Sequence, residues 1–540
     1  MKRLFFLLVL AGCVAGLILV FSNGISVQPG SSTPLGLDMS SYLLNSAQDS
    51  QQFLDRVETS GASTVKLTIP WQQVELSAGL FNWSISPQGS QIDLVTLIQK
   101  LDQQGIKVVL ILDGFPAYLQ YESLSEQNIV ENYLASWERY VKASVDQFGE
   151  YVDAWQIGQA INLPFNLPDQ PIAAAILASP STYAQRLLIA SEAIKSADKG
   201  DLVIMGGITS DTGNCLNQPS AFLYSMYSLD AWDAFDVIGI DLDTYTLPPE
   251  GKSMYQTYDT ISGACLTSAE DGFNLAEIIA LVDAAGSQYD AKPIWISSMA
   301  WHLEDISTIA AERGTLPDVV RADFLSRATI LLLGSHHVEN VFWEYTLQES
   351  EMDEEFGLFS QQVFRNLSTC LQGYQGSENR SEISAGIYQY HATTSGEVHI
   401  FIWRSEGGDQ FEPYQLSGVS GYNLEVFSLD AASVKKGEGI SLSNDTDGNS
   451  VFMLSERPLY LRAIPSDLKE RLSLYTSGIF SSAGESIKDS AQNIVDEQKD
   501  KAGQQVKEWA NEQKESLLES LKQSLLDWLK EALNLEQLLP

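Results

Sequence analysis

The feature that most constrains this chain is a repeat, from residue 35 to about residue 370, in which a short apolar run is followed by a segment of helical periodicity. Amphipathic segments such as 92–104, 127–148 and 181–196 separate the runs. Continuous apolar runs are typical of parallel strands that helices cover on both faces. Eight β-then-α units predict an α/β fold, a (β/α)8 or TIM barrel. The predicted strands are 36–39, 64–69, 106–112, 152–157, 202–206, 235–240, 293–297 and 340–345.

A doubly wound open sheet is the alternative arrangement for such a repeat. It is disfavoured because no glycine-rich phosphate-binding turn follows the first apolar run. We therefore assign residues 35–370 to the barrel.

The pattern changes after residue 384. Short alternating strands at 386–391, 397–403, 424–428 and 451–454 are separated by turns rich in Gly, Ser and Asp. This pattern predicts a small antiparallel β-sandwich over 384–465. Residues 466–540 are dense in charge, with apolar residues at helical spacing, and are predicted to form a C-terminal amphipathic helical segment.

The chain begins with a targeting segment. A basic start precedes the uncharged apolar run from Leu4 to Phe21, so residues 1–22 are predicted to be a signal peptide or a membrane anchor, and 23–34 a linker. The basic end stays cytoplasmic, so we expect the body to be extracytoplasmic. The run Leu10-Ala11-Gly12-Cys13 is similar to a bacterial lipobox, which makes Cys13 a lipidation candidate.

Charge and cysteine content limit the partners. The chain has 32 Lys and Arg against 70 Asp and Glu, a net charge of −38, which argues against nucleic-acid binding. Cys215 and Cys265 each follow a predicted strand and are candidates for a disulfide, although free buried thiols are an equal alternative. The five histidines are scattered and no CxxC occurs, so no metal and no cofactor are predicted.

Several motifs resemble those of clan A retaining glycoside hydrolases, and are closest to the β-xylosidase and α-iduronidase-like branch. The segment from Trp71 to Glu75, followed by Gly79 to Trp83, resembles the motif after the second strand of that clan. Similar agreement occurs at 106–116, at 235–245 and at 340–359, in the order of the third, sixth and eighth strands. The resemblance covers residues 35–370 and extends to the sandwich, since several such enzymes carry a β-domain after the barrel.

The resemblance implies two catalytic carboxylates, at the ends of strands four and seven. The fourth-strand motif W-x-I-G-N-E-P-N reads here as Trp155-Gln156-Ile157-Gly158-Gln159-Ala160-Ile161-Asn162, with Ala160 in the position of the acid/base. The seventh-strand motif W-I-T-E-x-G-W reads as Trp295-Ile296-Ser297-Ser298-Met299-Ala300-Trp301, with Ser298 in the position of the nucleophile. Both standard carboxylates are absent.

Substitute groups lie close by in the sequence. Glu344 and Asp243 are the main candidates for replacement carboxylates, and Asp113 and Asp241 also lie at strand ends, although such acids are more often satisfied structural residues. Ser298 would need a base, and the nearby His302 is weak support for one. Lys66 occupies the position at which the family commonly has an Arg that supports the nucleophile.

Residues that would contact a sugar come from the same motifs. Gln159 takes the place of the family's Asn, and several aromatic residues are predicted at or near the barrel mouth. Core packing is the alternative for the two that lie within strands, while those in loops are predicted to be cleft walls. The substrate-binding candidates are Trp71, Trp155, Gln159, Tyr245, Trp301 and Trp343.

The sequence therefore predicts an extracytoplasmic, glycosidase-like protein that binds an oligosaccharide or polysaccharide, or holds a cell-surface assembly, without hydrolysing it. Two alternatives remain open. One is an active O-glycosyl hydrolase with relocated carboxylates, and the other is a surface scaffold that self-associates through residues 485–540. The N-terminal segment would supply the contact with the membrane.

Overall fold

The structure, a computed structural model of the 540-residue chain, divides into two compact units, Met1–Asp467 and Leu468–Pro540. The second unit lies outside the described residues, as do the predicted targeting segment and linker up to residue 32. The described residues are 33–116, 118–119, 121, 124–164, 171–198, 200–209, 218–242, 247–253, 256–259, 264–267, 272–335, 337–345, 358–379, 386–394, 397–405, 412–416, 422–430, 440–442 and 450–465.

Eight parallel strands close into a barrel in the order of the sequence, which confirms the predicted fold class. Each predicted strand overlaps one observed strand, so the apolar runs were sufficient to place them. The strands are β1 (Leu35–Asp38), β2 (Thr64–Pro70), β3 (Lys107–Asp113), β4 (Ala154–Ile157), β5 (Leu202–Thr209), β6 (Val237–Leu242), β7 (Ile294–Met299) and β8 (Val338–Glu344).

Helices surround the barrel, and several begin at a side chain that caps the first turn. Ser125 and Ser179 accept bonds from Asn128 N and Thr182 N, and Asn274 forms a reciprocal capping box with Glu277. The helices are α1 (Ser40–Asn45), α2 (Ser50–Ser60), α3 (Trp71–Val74), α4 (Leu94–Gln103), α5 (Glu126–Phe148), α6 (Pro171–Leu177), α7 (Pro180–Ala197), α8 (Pro219–Ser228), α9 (Leu275–Gly286), α10 (Leu303–Arg313), α11 (Pro317–Leu333) and α12 (Leu358–Cys370).

Short hairpins occur in the loops that follow two of the barrel strands. Glu75–Ser77 pairs with Leu80–Phe81 after β2, and Gln256–Asp259 pairs with Ala264–Thr267 in the long connection between β6 and α9. These insertions lengthen the loops that follow the carboxyl ends of the strands, which is the face where barrels of this type build their sites.

The barrel interior is filled by side chains rather than open. One inward-facing residue from each of six strands forms a separate apolar cluster. On β1, the missing side chain of Gly36 leaves room for the ring of Phe342, which a Cβ would meet at 2.5 Å. The interior is therefore packed, as expected of a barrel of eight strands. The cluster consists of Val109, Ala154, Ile204, Val237, Trp295 and Phe342.

Antiparallel sheets follow the barrel, as predicted, although the first strand begins before the predicted start at residue 384. A six-stranded sheet has the order β9-β10-β11-β16-β13-β14, and β12 pairs with β15. Their bounds are β9 (Tyr374–Asn379), β10 (Ile387–Thr394), β11 (Glu397–Arg404), β12 (Glu412–Leu416), β13 (Tyr422–Ser428), β14 (Ile440–Leu442), β15 (Ser450–Leu454) and β16 (Leu459–Pro465).

The barrel and the C-terminal sheet share one hydrophobic core. Rings of the sheet, including Trp403 and Tyr460, belong to the same buried cluster as the outer faces of the barrel strands. Asn366 of α12 donates to the carbonyl of Leu429 at 2.7 Å, which ties the last barrel helix to the sheet. The two parts are thus packed together through buried surface rather than joined by a linker.

Candidate functional site at the barrel mouth

The loop after β4 carries Ala160 at the position where the predicted motif would have its acid, and its backbone includes two left-handed residues. Gly158 and Ala160 both have left-handed φ angles, 89° and 47°, and the second is strained because alanine carries a Cβ. Asn162 holds the loop to β5 by donating to the carbonyl of Thr209 at 2.8 Å and accepting from Thr209 N at 2.9 Å. The loop conformation is therefore fixed from outside, although Ala160 offers no proton. Gln159 beside it is partly exposed.

Asp241, at the end of β6, lies beside this loop. Its Oδ2 accepts from Ala160 N at 3.2 Å, and its Cα pairs in register with that of Ser298 on β7. A Cβ on Gly207 of β5 would collide with the Asp241 carboxylate. The glycine thus provides the space that the carboxylate occupies between the ends of β4 and β7.

At the end of β7, Ser298 is buried and its hydroxyl has no hydrogen-bond partner among the described residues. His302, the candidate base, precedes the first turn of α10, and none of the hydrogen bonds within the described residues joins it to Ser298. A serine nucleophile requires such a base. The arrangement therefore provides no activation for Ser298 from the described part of the chain.

The preceding residue, Ser297, belongs instead to a buried polar network. Its Oγ donates to Gln156 Oε1 at 2.7 Å, and Lys66 Nζ donates to both its Oγ, at 2.9 Å, and its carbonyl oxygen. Lys66 also forms an ion pair with Asp38 at 2.9 Å, and the two side chains are 1% and 2% exposed. Asp38 thus supplies the negative charge that Lys66 would otherwise find in a catalytic carboxylate.

Asp38 and Gln156 were not identified from the sequence. Both occupy positions that alternation along the strand places inside the barrel, at the same level as Lys66 and Ser297. A buried lysine such as Lys66 needs an acidic partner, and Asp38 at the end of the neighbouring strand could have been predicted as that partner for this reason.

The other candidate acids also have partners. Asp113 accepts from Arg186 Nη2 at 2.9 Å, and Glu344 accepts from Ser41 Oγ at 3.0 Å while staying partly exposed. Asp243 lies outside the described residues. Asp113 and Glu344 both lie at a strand end and are partly exposed, but Asp113 is paired with the buried Arg186, whereas Glu344 accepts from a serine hydroxyl.

Arg186 is buried in a box of aromatic rings behind the mouth. Its guanidinium carbon lies 4.6 Å from the ring centroid of Trp137, and Tyr133 and Tyr183 are also within 6 Å. Burial opposes its charge, but Tyr133, Asp113 and Tyr183 outweigh burial and raise the pKa of Arg186. The arginine therefore remains positively charged and keeps the Asp113 carboxylate in an ion pair.

Four of the predicted aromatic platforms are enclosed, with exposed fractions of 2% or less. Trp155 Nε1 donates to Asp201 near the start of β5, and Trp343 Nε1 donates to Thr329 of α11, so both rings point out of the barrel into the core. Core packing, the alternative left open for Trp155 and Trp343, describes both of them.

The interpretation of Trp71 and Trp301 as platforms at the mouth is wrong for the same reason. Trp71 stacks on Tyr140 of α5 at 4.6 Å, and Trp301 Nε1 donates to the carbonyl of Leu247 at 2.9 Å while its ring packs on Phe324. An enclosed ring has no free face for a sugar. Tyr245 lies outside the described residues.

The corner after β2 retains its family acid. Glu75 is fully buried and accepts hydrogen bonds from Trp71 Nε1 at 2.6 Å, Gly79 N at 2.7 Å and Arg139 Nε at 2.8 Å. We call this set of four residues the Glu75 corner. Its acid serves the fold, because the side chain is enclosed and both of its oxygens accept hydrogen bonds from neighbouring residues.

The bonding state of two cysteines, Cys265 and Cys370, is defined in the structure. Cys265 is disulfide-bonded, and its partner lies outside the described residues, so pairing with Cys215 stays a prediction. Cys370 is a buried free thiol whose pKa is raised to about 12 by burial. Cys13 also lies outside the described residues.

The described residues contain neither a cluster of metal ligands nor a membrane-spanning helix. No group of three or more His, Cys, Asp or Glu side chains within them could hold a metal ion. No helix among them is long and apolar enough to cross a bilayer.

Comparison with known proteins agrees with this geometry at the level of fold. No family model matches the chain, and no curated protein matches it. A family 39 glycoside hydrolase from the gut symbiont Bacteroides cellulosilyticus WH2 aligns over 81% of this chain and 82% of its own, with 15% identity and a TM-score of 0.56.

More distant solved structures are of the same class. A family 30 subfamily 8 xylanase from Clostridium acetobutylicum has 13% identity, covers 80% of this chain and 95% of its own, and has a TM-score of 0.49. A family 39 enzyme from Xanthomonas axonopodis pv. citri has 12% identity, covers 80% and 94%, and has a TM-score of 0.47. The fold is that of clan A glycoside hydrolases, and the predicted resemblance is confirmed to that extent.

Proposed function

We propose that this protein is an extracytoplasmic, glycosidase-like protein that binds a glycan at the barrel mouth without hydrolysing it. The observation that carries the proposal is the pair of positions at the ends of β4 and β7. Ala160 has no ionisable group, and the hydroxyl of Ser298 has no described partner that could activate it. General acid help alone is worth about 10²–10⁴-fold in rate, and here the nucleophile is missing as well.

The engagement of the neighbouring acids supports the same proposal. Asp38 and Asp113 form ion pairs with Lys66 and Arg186, and Asp241 accepts from the backbone of Ala160. An acid that is neutralised by a buried cation is not available to transfer a proton to a leaving oxygen. The mouth therefore keeps polar groups that suit binding, including the partly exposed Gln159.

The test is a comparison of turnover and binding with the full-length protein. We expect no release of p-nitrophenol from p-nitrophenyl β-xyloside above the uncatalysed rate, together with saturable binding of xylohexaose by calorimetry. The β-xylosidase-like motifs guide this choice of probes. Gln159→Ala should weaken xylohexaose binding several-fold, while Gln127→Ala, on the exposed face of α5, should leave it unchanged.

The main alternative is an active hydrolase with a relocated carboxylate, and a substitution of Glu344 tests it. Turnover by the wild type that disappears in Glu344→Gln would contradict the non-hydrolytic proposal. Turnover that is absent in both proteins agrees with it.

A surface scaffold is the second candidate, and the burial of Trp71 and Trp301 favours it because the mouth has lost two predicted sugar platforms. Under this proposal the predicted helices at 485–540 mediate self-association. Deleting 485–540 should then convert an oligomer to a monomer in light scattering. An absence of xylohexaose binding in the full chain would complete the case for the scaffold.

A further inference from the structure

The connection between β6 and α9 carries a buried acid that none of the motifs explains. This connection follows the carboxyl end of β6, on the face of the barrel that forms the mouth. Within the described segment 247–253 of this connection, Leu247 is exposed, whereas Glu250 is buried. A buried carboxylate on a loop needs partners, and their location shows what holds the loop.

The partners of Glu250 come from two other elements. Trp403 Nε1, on β11 of the C-terminal sheet, donates to Glu250 Oε1 at 2.6 Å. Arg327 Nη2, on α11 of the barrel, forms an ion pair with Glu250 Oε2 at 3.0 Å. Arg327 also contacts Glu456, next to the sheet, so the same guanidinium joins the loop and the sheet.

The loop is also held from the barrel side. Trp301, which follows β7, donates to the carbonyl of Leu247, and Ser253 exchanges two backbone bonds with Phe273, at 3.0 Å and 2.9 Å. Gly251 N donates to the carbonyl of Pro248 at 2.7 Å. The segment 247–253 therefore has one fixed conformation, and Glu250 is the point where the sheet contributes to it.

We propose that Glu250 is a positioning residue, through which the C-terminal sheet fixes the 247–253 segment at the barrel mouth, so that sheet and barrel act as one glycan-binding unit. The link to glycan binding rests on the proposed function, whereas the positioning itself does not. The sheet thus acts on the site through the bond from Trp403 to Glu250.

Hydrogen exchange in the full-length protein, without ligand, tests the positioning. The amides of Gly251 and Ser253 are reporters, because Gly251 N donates to the carbonyl of Pro248 and Ser253 N donates to the carbonyl of Phe273. Glu250→Gln keeps the shape and removes the charge, and Trp403→Phe removes the donor. Each should raise exchange of the two reporters about tenfold or more, since hydrogen bonds to charged groups are the stronger ones.

Trp137→Phe is the matched control, because its buried Nε1 donates to the carbonyl of Arg186 at 2.9 Å, away from the loop. It should leave the reporters unchanged. Unchanged reporters in both test variants, or an equal rise in the control, would overturn the positioning role.

Xylohexaose affinity then tests the link to binding. If the wild type binds, both test variants should bind at least about threefold more weakly, and the control should not. Faster exchange with unchanged affinity would contradict the coupling to the mouth. A wild type that binds no xylohexaose but shows the selective rise in exchange contradicts the proposed function and leaves the positioning role standing.

Discussion

Two acidic positions of the same family pattern can be compared within this barrel. At the Glu75 corner the acid is present and each of its contacts is made to the protein, from Trp71, Gly79 and Arg139. At the end of β7 the family's acid is replaced by Ser298, whose hydroxyl bonds to none of the described residues. Glu75 is thus tied into the fold through both of its oxygens, whereas the Ser298 hydroxyl makes no described hydrogen bond to it.

The largest expected effect concerns the ion pair inside the barrel. Asp38→Asn leaves the buried charge of Lys66 without its counter-charge, and this should lower the free energy of unfolding by about 3–5 kcal/mol in denaturant titrations. The double variant Asp38→Leu with Lys66→Met removes both charges and should cost less than the single change. An Asp38→Asn variant as stable as the wild type would contradict this, because the buried carboxylate of Asp38 would then not stabilise the fold.

Glu75→Gln should have the next largest effect. It weakens three hydrogen bonds to a buried carboxylate, and we expect a loss of about 2–3 kcal/mol of unfolding free energy. Glu138→Gln on the same protein is the control, because its pair with Lys142 is exposed and screened by solvent and should contribute little. Equal losses in the two variants would contradict the structural role assigned to the Glu75 corner.

The adjacent serines of β7 provide a smaller and sharper contrast. Ser298→Ala removes a buried hydroxyl that has no described partner, so stability should stay the same or rise by about 1 kcal/mol. Ser297→Ala removes bonds to Gln156 and Lys66 and should lower stability by about 1–2 kcal/mol. In thermal unfolding, an unchanged or raised Tm for Ser298→Ala together with a lowered Tm for Ser297→Ala would support the comparison. A lowered Tm for both variants would count against it.

The smallest expected effect on stability concerns His337, which directly precedes β8. His337 bonds to Asp283, which raises its pKa against the effect of burial, and its side chain is 43% exposed. Because the folded pKa is raised, the stabilisation is complete below pH about 6.5 and is lost as the pH rises through the folded value. After allowance for screening by solvent, we expect His337→Gln to lose about 0.5 kcal/mol or less at pH 5.5 and nothing at pH 9. An effect that is larger at pH 9 would contradict this.

Much of the fold could be predicted because strands buried on both faces leave a simple apolar signal. The eight runs located all eight barrel strands, and the motifs placed Ala160 and Ser298 correctly at the ends of β4 and β7. The direction of side chains was harder. Phe342 points into the barrel and its neighbour Trp343 points out, so an error of one residue exchanges the barrel interior for the core outside the barrel.

Contacts between distant segments could not be predicted from spacing. Trp301 lies in the motif predicted at the seventh strand, yet its Nε1 donates to the carbonyl of Leu247. Glu250 contacts Trp403, which is 153 residues away in the sequence. The start of β9 at Tyr374 was missed because the strand is short in apolar residues. A single sequence contains no signal for such pairings, since each partner is an ordinary loop or strand residue.

The empty side of Gly207 has a consequence for related chains. The Asp241 carboxylate fills the volume that any larger residue on β5 would need. Homologues should therefore show covariation at these two sites, with glycine at 207 wherever an acid stands at 241 and a bulkier residue only where that acid has been replaced. This pairwise rule can be checked in the sequences of related chains before any of them is purified.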